Sequence, residues 1–278
     1  MSTPAKTKRD ASQTLRALVV PVVGSMVVSV LGLYVARRLT SFAVLQASND
    51  VVGNYLQTVG SIYAVLLAFV TFVVWNQFNE ARGYVEQESN ELLDLVRTVR
   101  GLPKTTRDRV ANLARDYVRV VLDTEWAVMA CAGPLGADRG AAILDQMWSA
   151  LHDMEPQAQP DPSVYREVLR RLDDISDIRS NRLGSSRTRM PTALRILLYS
   201  GAVTMVGSMY LFAVNSFTVH ALITAALAGA ISHVLFVIED LDSCFHGHWQ
   251  VPRDAFERVQ GQIAGDGVPS SAAVRAAV

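Results

Sequence analysis

Four stretches of this chain are too long and too apolar for an ordinary soluble fold, and its polar positions are gathered mainly into one block between the second and third. Ala17 to Ala36 runs for 20 residues without a charge and is rich in Val and Leu. At about 1.5 Å per residue that length crosses a hydrocarbon core of about 30 Å. The apolar region of a cleaved signal peptide would be shorter, roughly 7–15 residues, and would lead to a small-residue cleavage site. Here Arg37-Arg38 closes the stretch, which reads as a retained span. Val51 to Asn79 is a second uncharged run, of 29 residues, with the span itself at about Val59 to Asn76. It passes without a proline into charged, helix-periodic sequence as far as Gly101, which predicts one helix leaving the bilayer and continuing beyond it. Ile196 to Ile238 holds no Asp, Glu, Lys or Arg for 43 residues, enough for two crossings that turn at Asn215-Ser216. Pro191 suits the first turn of a helix and sets the start of the third span.

Between spans two and three, residues 77–190 read as a helical cytosolic domain. Phe78, Val85, Leu92, Val96 and Val99 share one side of the first helix. Gly101-Leu-Pro103 breaks it, and a helix from Arg107 to about Ala132 follows, with Val110, Leu113, Tyr117, Val121 and Trp126 inward. A turn at 133–136, a helix over 137–154, a proline-punctuated linker over 156–162 and a helix capped by Ser163 complete the block. That last helix turns Tyr165, Val168, Leu172, Ile175 and Ile178 inward. Sustained period-two alternation is absent, so the expected class is all-α: an integral membrane protein with four spans. The domain plan is a flexible leader over 1–16, spans one and two over 17–76, the cytosolic block over 77–190, spans three and four over 191–238, and a C-terminal segment with a disordered tail over 239–278.

Composition refines this picture little. Half of the 278 residues are hydrophobic, 19% are charged, and 26 basic residues balance 26 acidic ones, so nothing points to nucleic acid. Cys131 and Cys244 are far apart and read as reduced thiols. Where the basic residues lie matters more. The leader carries four, the 77–190 block sixteen and the Asn215–His220 loop none, which predicts a multi-pass protein of the cell inner membrane with both termini cytoplasmic. Arg37 and Arg38 dissent from that pattern.

Candidate chemistry is sparse. Polar groups at membrane depth are functional hypotheses because burying them costs free energy. Asn54 and Tyr55 mark the outer edge of the second span, and His233 sits midway down the fourth, where it would titrate or bond to another helix. His220 reads as lying at the outer interface. Along the second span, Gly60, Ala64, Ala68, Thr71 and Trp75 share a face, with Ser61 beside them. Ile62, Leu66, Phe69, Val70 and Val73 take the other side. A small-residue face either lets a neighbouring helix approach closely or lines the axis of an oligomer. After the fourth span come Glu239, Asp240, Asp242, Cys244, His246 and His248. Carboxylates at a helix C-terminus oppose the dipole and call for compensation. Three kinds fit: arginines from the polar block (Arg179, Arg182 or Arg189), a hard cation on Glu239, Asp240 and Asp242, or zinc at Asp242, Cys244 and His246. Arg179, Arg182, Arg187 and Arg189, ahead of the third span, read as positive-inside anchors. Without a nucleophile elbow, P-loop, HExxH or dinucleotide fingerprint, the sequence points away from an enzyme and names no cofactor.

Several stretches together resemble the bestrophin-like bacterial membrane proteins. They are Ser61-Ile-Tyr63-Ala-Val-Leu-Leu-Ala-Phe69, Trp75-Asn-Gln-Phe78-Asn-Glu-Ala81, Glu86 to Asn90 with Leu92, Arg179-Ser-Asn-Arg182-Leu183, Pro191, and Leu241-Asp242-Ser-Cys-Phe245-His-Gly247. That family is distantly similar to the bestrophins proper, pentameric anion channels with four spans per subunit. The resemblance implies a homo-oligomer, a pentamer, that passes inorganic ions through the bilayer along an axis lined by the second span. Its neck would fall near Gly60, Ser61, Ala64 and Ala68, where small residues replace the bulky ones of the channels. The acidic run that contributes to calcium binding in animal bestrophins has no counterpart after Gly247. A non-conducting membrane scaffold or sensor, binding a partner through its helical block, is the alternative.

Overall fold

The computed structural model describes residues 4–131, 138–154 and 161–265, and among these there is no strand. Ten α-helices follow in order: α1 Pro4–Leu39, α2 Phe42–Ala47, α3 Asn49–Thr98, α4 Lys104–Val120, α5 Trp126–Ala130, α6 Asp138–His152, α7 Pro162–Arg187, α8 Thr192–Met209, α9 Phe217–Asp242 and α10 Asp254–Gly265. Among the described residues four helical segments are long and apolar enough to cross a membrane, within Leu18–Leu39, Asn49–Gly101, Pro162–Met209 and Phe217–Asp242. The chain divides into two units, Met1–Trp75 with Arg189–Asp242, and Asn76–Thr188 with Ser243–Val278.

In the first unit α1 and α9 make the most extensive helix pair. Gly229 permits their approach, since a Cβ there would lie 3.1 Å from Met26. Helix α3 meets α8 through Tyr63, whose hydroxyl donates to the Leu198 carbonyl at 3.0 Å and whose ring fills the space a side chain at Gly201 would need. The start of α3 is fastened by Asn49, whose amide donates to the Ala213 carbonyl (3.1 Å) and accepts from the Ala213 N–H (2.9 Å). One side chain thereby satisfies both backbone groups of a loop residue lying between α8 and α9. That loop, residues 210–216, holds the expected turn at Asn215-Ser216.

The second unit is built on the polar end of α3 with α4 to α7 and α10. Phe78, Val85, Leu92, Val96, Val99, Val110, Tyr117, Val121, Trp126, Val168, Leu172 and Ile175 are buried as their periodicity predicts, and Leu113, Tyr165 and Ile178 half-buried. At Gly247 the chain takes a φ of 100°, open to glycine at little cost. Beyond it α10 returns Phe256, Val259 and Ile263 to the core.

The helices depart from expectation in several places. Residues 4–16, expected as a flexible leader, continue α1: Pro4 suits a first turn and no proline follows before Pro21. The helix expected over 107–132 starts at Lys104 and is interrupted by a π-turn at Val121–Glu125. Asp161, not Ser163, caps α7, its carboxylate accepting from the Ser163 N–H at 2.8 Å with Pro162 at the first helical position. Helix α10 lies where only a C-terminal segment and tail were expected. Residues 132–137, 155–160 and 266–278, which hold most of the expected 133–136 turn, the 156–162 linker and the tail, lie outside the described residues.

Candidate functional site

A helix with one apolar stripe buries that stripe; α3 in the first unit has apolar residues nearly all round and buries only part of them. Tyr63, Val70 and Val74 are buried, while Ser61, Ala64, Ala68 and Trp75 are exposed, as are Ile62, Val65, Phe69 and Phe72. At about 100° per residue the free surface is centred near Ser61, Val65 and Phe72. The small residues take one flank of it, and Ile62 and Phe69 the other. Two of the bulky side chains opposite the small-residue face are therefore exposed as well: Ile62 at 66% and Phe69 at 61%.

Of the six candidate axis residues, Ser61, Ala64, Ala68 and Trp75 are exposed. Gly60 and Thr71 are half-buried. A Cβ on Gly60 would come within 3.2 Å of Met205 in α8, so this glycine serves contact inside the chain. The Thr71 hydroxyl donates to the Leu67 carbonyl at 2.7 Å and the Ser61 hydroxyl to the Gln57 carbonyl at 2.9 Å. Each hydroxyl is thus bonded back to the carbonyl four residues earlier in its own helix. Asn54 and Tyr55 are exposed near the start of the helix.

The two membrane histidines exchange the environments expected of them. His233 is exposed on α9, with no hydrogen bond among the described residues. His220, expected at an interface, is fully buried, its Nε2 2.8 Å from the Met209 carbonyl. A carbonyl only accepts, so Nε2 carries the proton.

The acidic residues after the fourth span stand on its last turn, and the structure supplies their compensation. Asp242 is buried; its Oδ1 accepts from the Met190 N–H at 2.7 Å and its Oδ2 from Arg195 at 3.0 Å. Glu239 pairs with the same guanidinium at 2.9 Å and accepts from the Tyr199 hydroxyl at 3.3 Å. Compensation by arginine is what forms, but through Arg195, on α8 itself, and through a backbone N–H, rather than through Arg179 or Arg182. Among the described residues no group of three or more His, Cys, Asp or Glu has the geometry to hold a metal ion. Glu239 and Asp242 are engaged by arginine, which speaks against the hard-cation reading of Glu239, Asp240 and Asp242.

Arg179 and Arg182, expected as membrane anchors, are instead the centre of a buried ion network in the second unit. Arg182 Nε lies 2.6 Å from Glu88 Oε2, and its Nη2 reaches both Glu88 Oε1 at 3.1 Å and Glu125 Oε2 at 2.6 Å. Arg179 binds Glu125 Oε1 at 2.7 Å, and the Tyr117 hydroxyl donates to Glu88 Oε1 at 2.5 Å. Met129 Sδ and the face of Phe256 close the remaining sides of Arg182. Two guanidinium and two carboxylate groups balance. Burial works against the Arg182 charge, yet Glu88, Tyr117 and Glu125 outweigh it and hold its pKa above the ordinary arginine value. Burial, then the Glu88 charge, raises the Tyr117 hydroxyl well above the tyrosine range. The π-turn positions Glu125, and Gly140 leaves its carboxylate room: a Cβ there would collide with Glu125 and lie 3.0 Å from Arg179 Nε. Sequence reasoning missed this network, though Glu88 falls in register with the buried Val85, Leu92 and Leu95, a signal that could have exposed it.

The bestrophin-like domain profile matches residues 23–256, most of the chain. The fold matches structures of a bacterial bestrophin homologue from Klebsiella pneumoniae. One is 15% identical with a TM-score of 0.68, over 88% of this chain and 99% of the other. A second is 13% identical with a TM-score of 0.66, over 91% and 98%. None of the curated proteins matches this sequence. The chain belongs to the bestrophin-like family, and it is a membrane protein with four helices able to span the bilayer.

Proposed function

We propose that this protein is the protomer of a homo-oligomeric ion channel, a pentamer, whose second span lines a central axis and conducts anions. The observation that carries the reading is the exposed surface of α3, on which Ser61, Ala64 and Ala68 lie together. Its two flanks suit two tasks: small side chains leave width for an ion, and Ile62 and Phe69 offer bulk for packing against a neighbour. Membership of the bestrophin-like family and a fold shared with bestrophin homologues favour this use of the surface. Absence of charge along the flank implies that width and helix dipoles, rather than a ring of charged groups, set selectivity. The basic residues support an orientation with both termini cytoplasmic.

The test is planar-bilayer recording of purified protein, combined with cysteine substitution. Cys131 is exposed and would be replaced by serine first, while Cys244 is buried. Ala64→Cys and Ala68→Cys should each allow a charged thiol reagent to change the conductance, whereas buried Val70→Cys should not. No conductance above the lipid background would sink the channel reading. A tight dimer with Ala64 and Ala68 packed on a neighbour would favour the scaffold alternative instead.

A further inference from the structure

Positive-inside logic leaves Arg37 and Arg38 without a role, and the structure gives them a shared cavity. The two arginines line a hollow of about 340 Å³ at the C-terminal end of α1, together with Thr40, Tyr34, Phe42 and Phe217. That is within the range of small-ligand pockets, about 300–1,000 Å³. Cations suit the last turn of a helix, whose carbonyls are unsatisfied. This explains one arginine better than it explains two on one wall. Arg37 donates to the Val214 carbonyl and lies over the Phe217 ring at 5.7 Å. Arg38 donates to the Tyr34 hydroxyl at 2.9 Å and lies 5.2 Å from the centre of that ring. A guanidinium has five N–H donors, and each of these is given one hydrogen bond. Neither forms an ion pair with a carboxylate among the described residues. Arg195 in the same unit differs, being matched to Glu239 and Asp242. Two neighbouring like charges with spare donors and no counter-charge make a site that an oxyanion would complete, most favourably one that accepts a guanidinium through two oxygens.

We propose that the Arg37–Arg38 cavity binds a phosphate oxyanion, either that of a phospholipid headgroup or inorganic phosphate. Tyr34, Phe42 and Phe217 are each 40–48% exposed. Tyr34 among them is of the amphipathic aromatic kind that gathers at the depth of the headgroups. The proposal does not depend on conduction, and its readout is binding.

Full-length protein in a neutral detergent would be stripped of lipid and examined by native mass spectrometry with added phosphatidylglycerol, and by calorimetric titration with inorganic phosphate. The double variant Arg37→Gln/Arg38→Gln and the single variant Arg38→Gln would be compared with Arg119→Gln, a surface arginine of the other unit paired to Asp116. At least a tenfold weaker lipid adduct in the double variant, with Arg119→Gln unchanged, is the expected result, and identifies the lipid as source if inorganic phosphate does not compete. Phosphate binding that is lost in the same variant supports the site with the free anion as source. Equal binding of both probes by wild type and variants would overturn the proposal, as would an equal loss in Arg119→Gln. Should the double variant not fold, Arg38→Gln decides alone: a threefold or larger loss supports the site and unchanged binding refutes it.

Discussion

Arg182 shows what a single side chain decides here. It is fully buried and holds two carboxylates from distant parts of the sequence, Glu88 and Glu125. Removing one partner of a buried ion pair costs about 3–5 kcal/mol, because the remaining charge stays out of water. Arg182→Ala strands the Glu88 carboxylate, leaves Glu125 to Arg179 alone, and should lower the thermal midpoint of the detergent-solubilised protein far more than Arg119→Ala, whose pair is exposed. Gly140→Ala should be destabilising as well, although alanine is the better helix former, because its methyl would enter the space of the Glu125 carboxylate; urea unfolding of the two proteins would compare them. Tyr117 adds a pH signature. Its folded-state pKa is raised above the unfolded one, so the folded form binds the proton more tightly. That stability is fully present below about pH 10 and is lost as pH rises toward the folded value. A denaturation series should therefore be flat in this respect up to about pH 10 and fall above it, more weakly in Tyr117→Phe. The sequence displays every charge in this network but not which are buried. Ahead of a span, arginines look alike whether they face lipid headgroups or a protein core.

At the scale of the helices, the first unit rests on a few close approaches. Tyr63 lies against α8 where Gly201 has no side chain, and Asp242 ties the end of α9 to the start of α8 through Met190 and Arg195. Gly201→Leu should separate α3 from α8 and reduce the yield of folded protein on size exclusion, while Tyr63→Phe should lose only one hydrogen bond, about 0.5–1.5 kcal/mol. The spans could be read from the sequence because uncharged runs of that length have few other uses. The polar helices could be read because their apolar residues recur at helical spacing. The π-turn could not, since the buried positions keep a helical spacing through it. Helix α10 could have been: Phe256, Val259 and Ile263 recur at helical intervals, and the small residues that follow drew the segment into an expected tail.

For the whole molecule, the sequence conveyed the family and the all-α membrane architecture, whereas the free surface of α3 emerged broader than its small residues suggested. On the proposed channel reading that surface meets other copies of the chain, and native mass spectrometry of gently solubilised protein should find five; a monomer would count against that reading. Helix α3 is also a single proline-free rod from Asn49 to Thr98. At its polar end the buried grip of Arg182 on Glu88 is a clamp on azimuth: it holds the helix so that Val85, Leu92 and Leu95, in register with Glu88, face the core of the second unit. Glu88→Gln, which keeps the shape and removes the charge, should loosen that hold, read as faster amide exchange over residues 85–95.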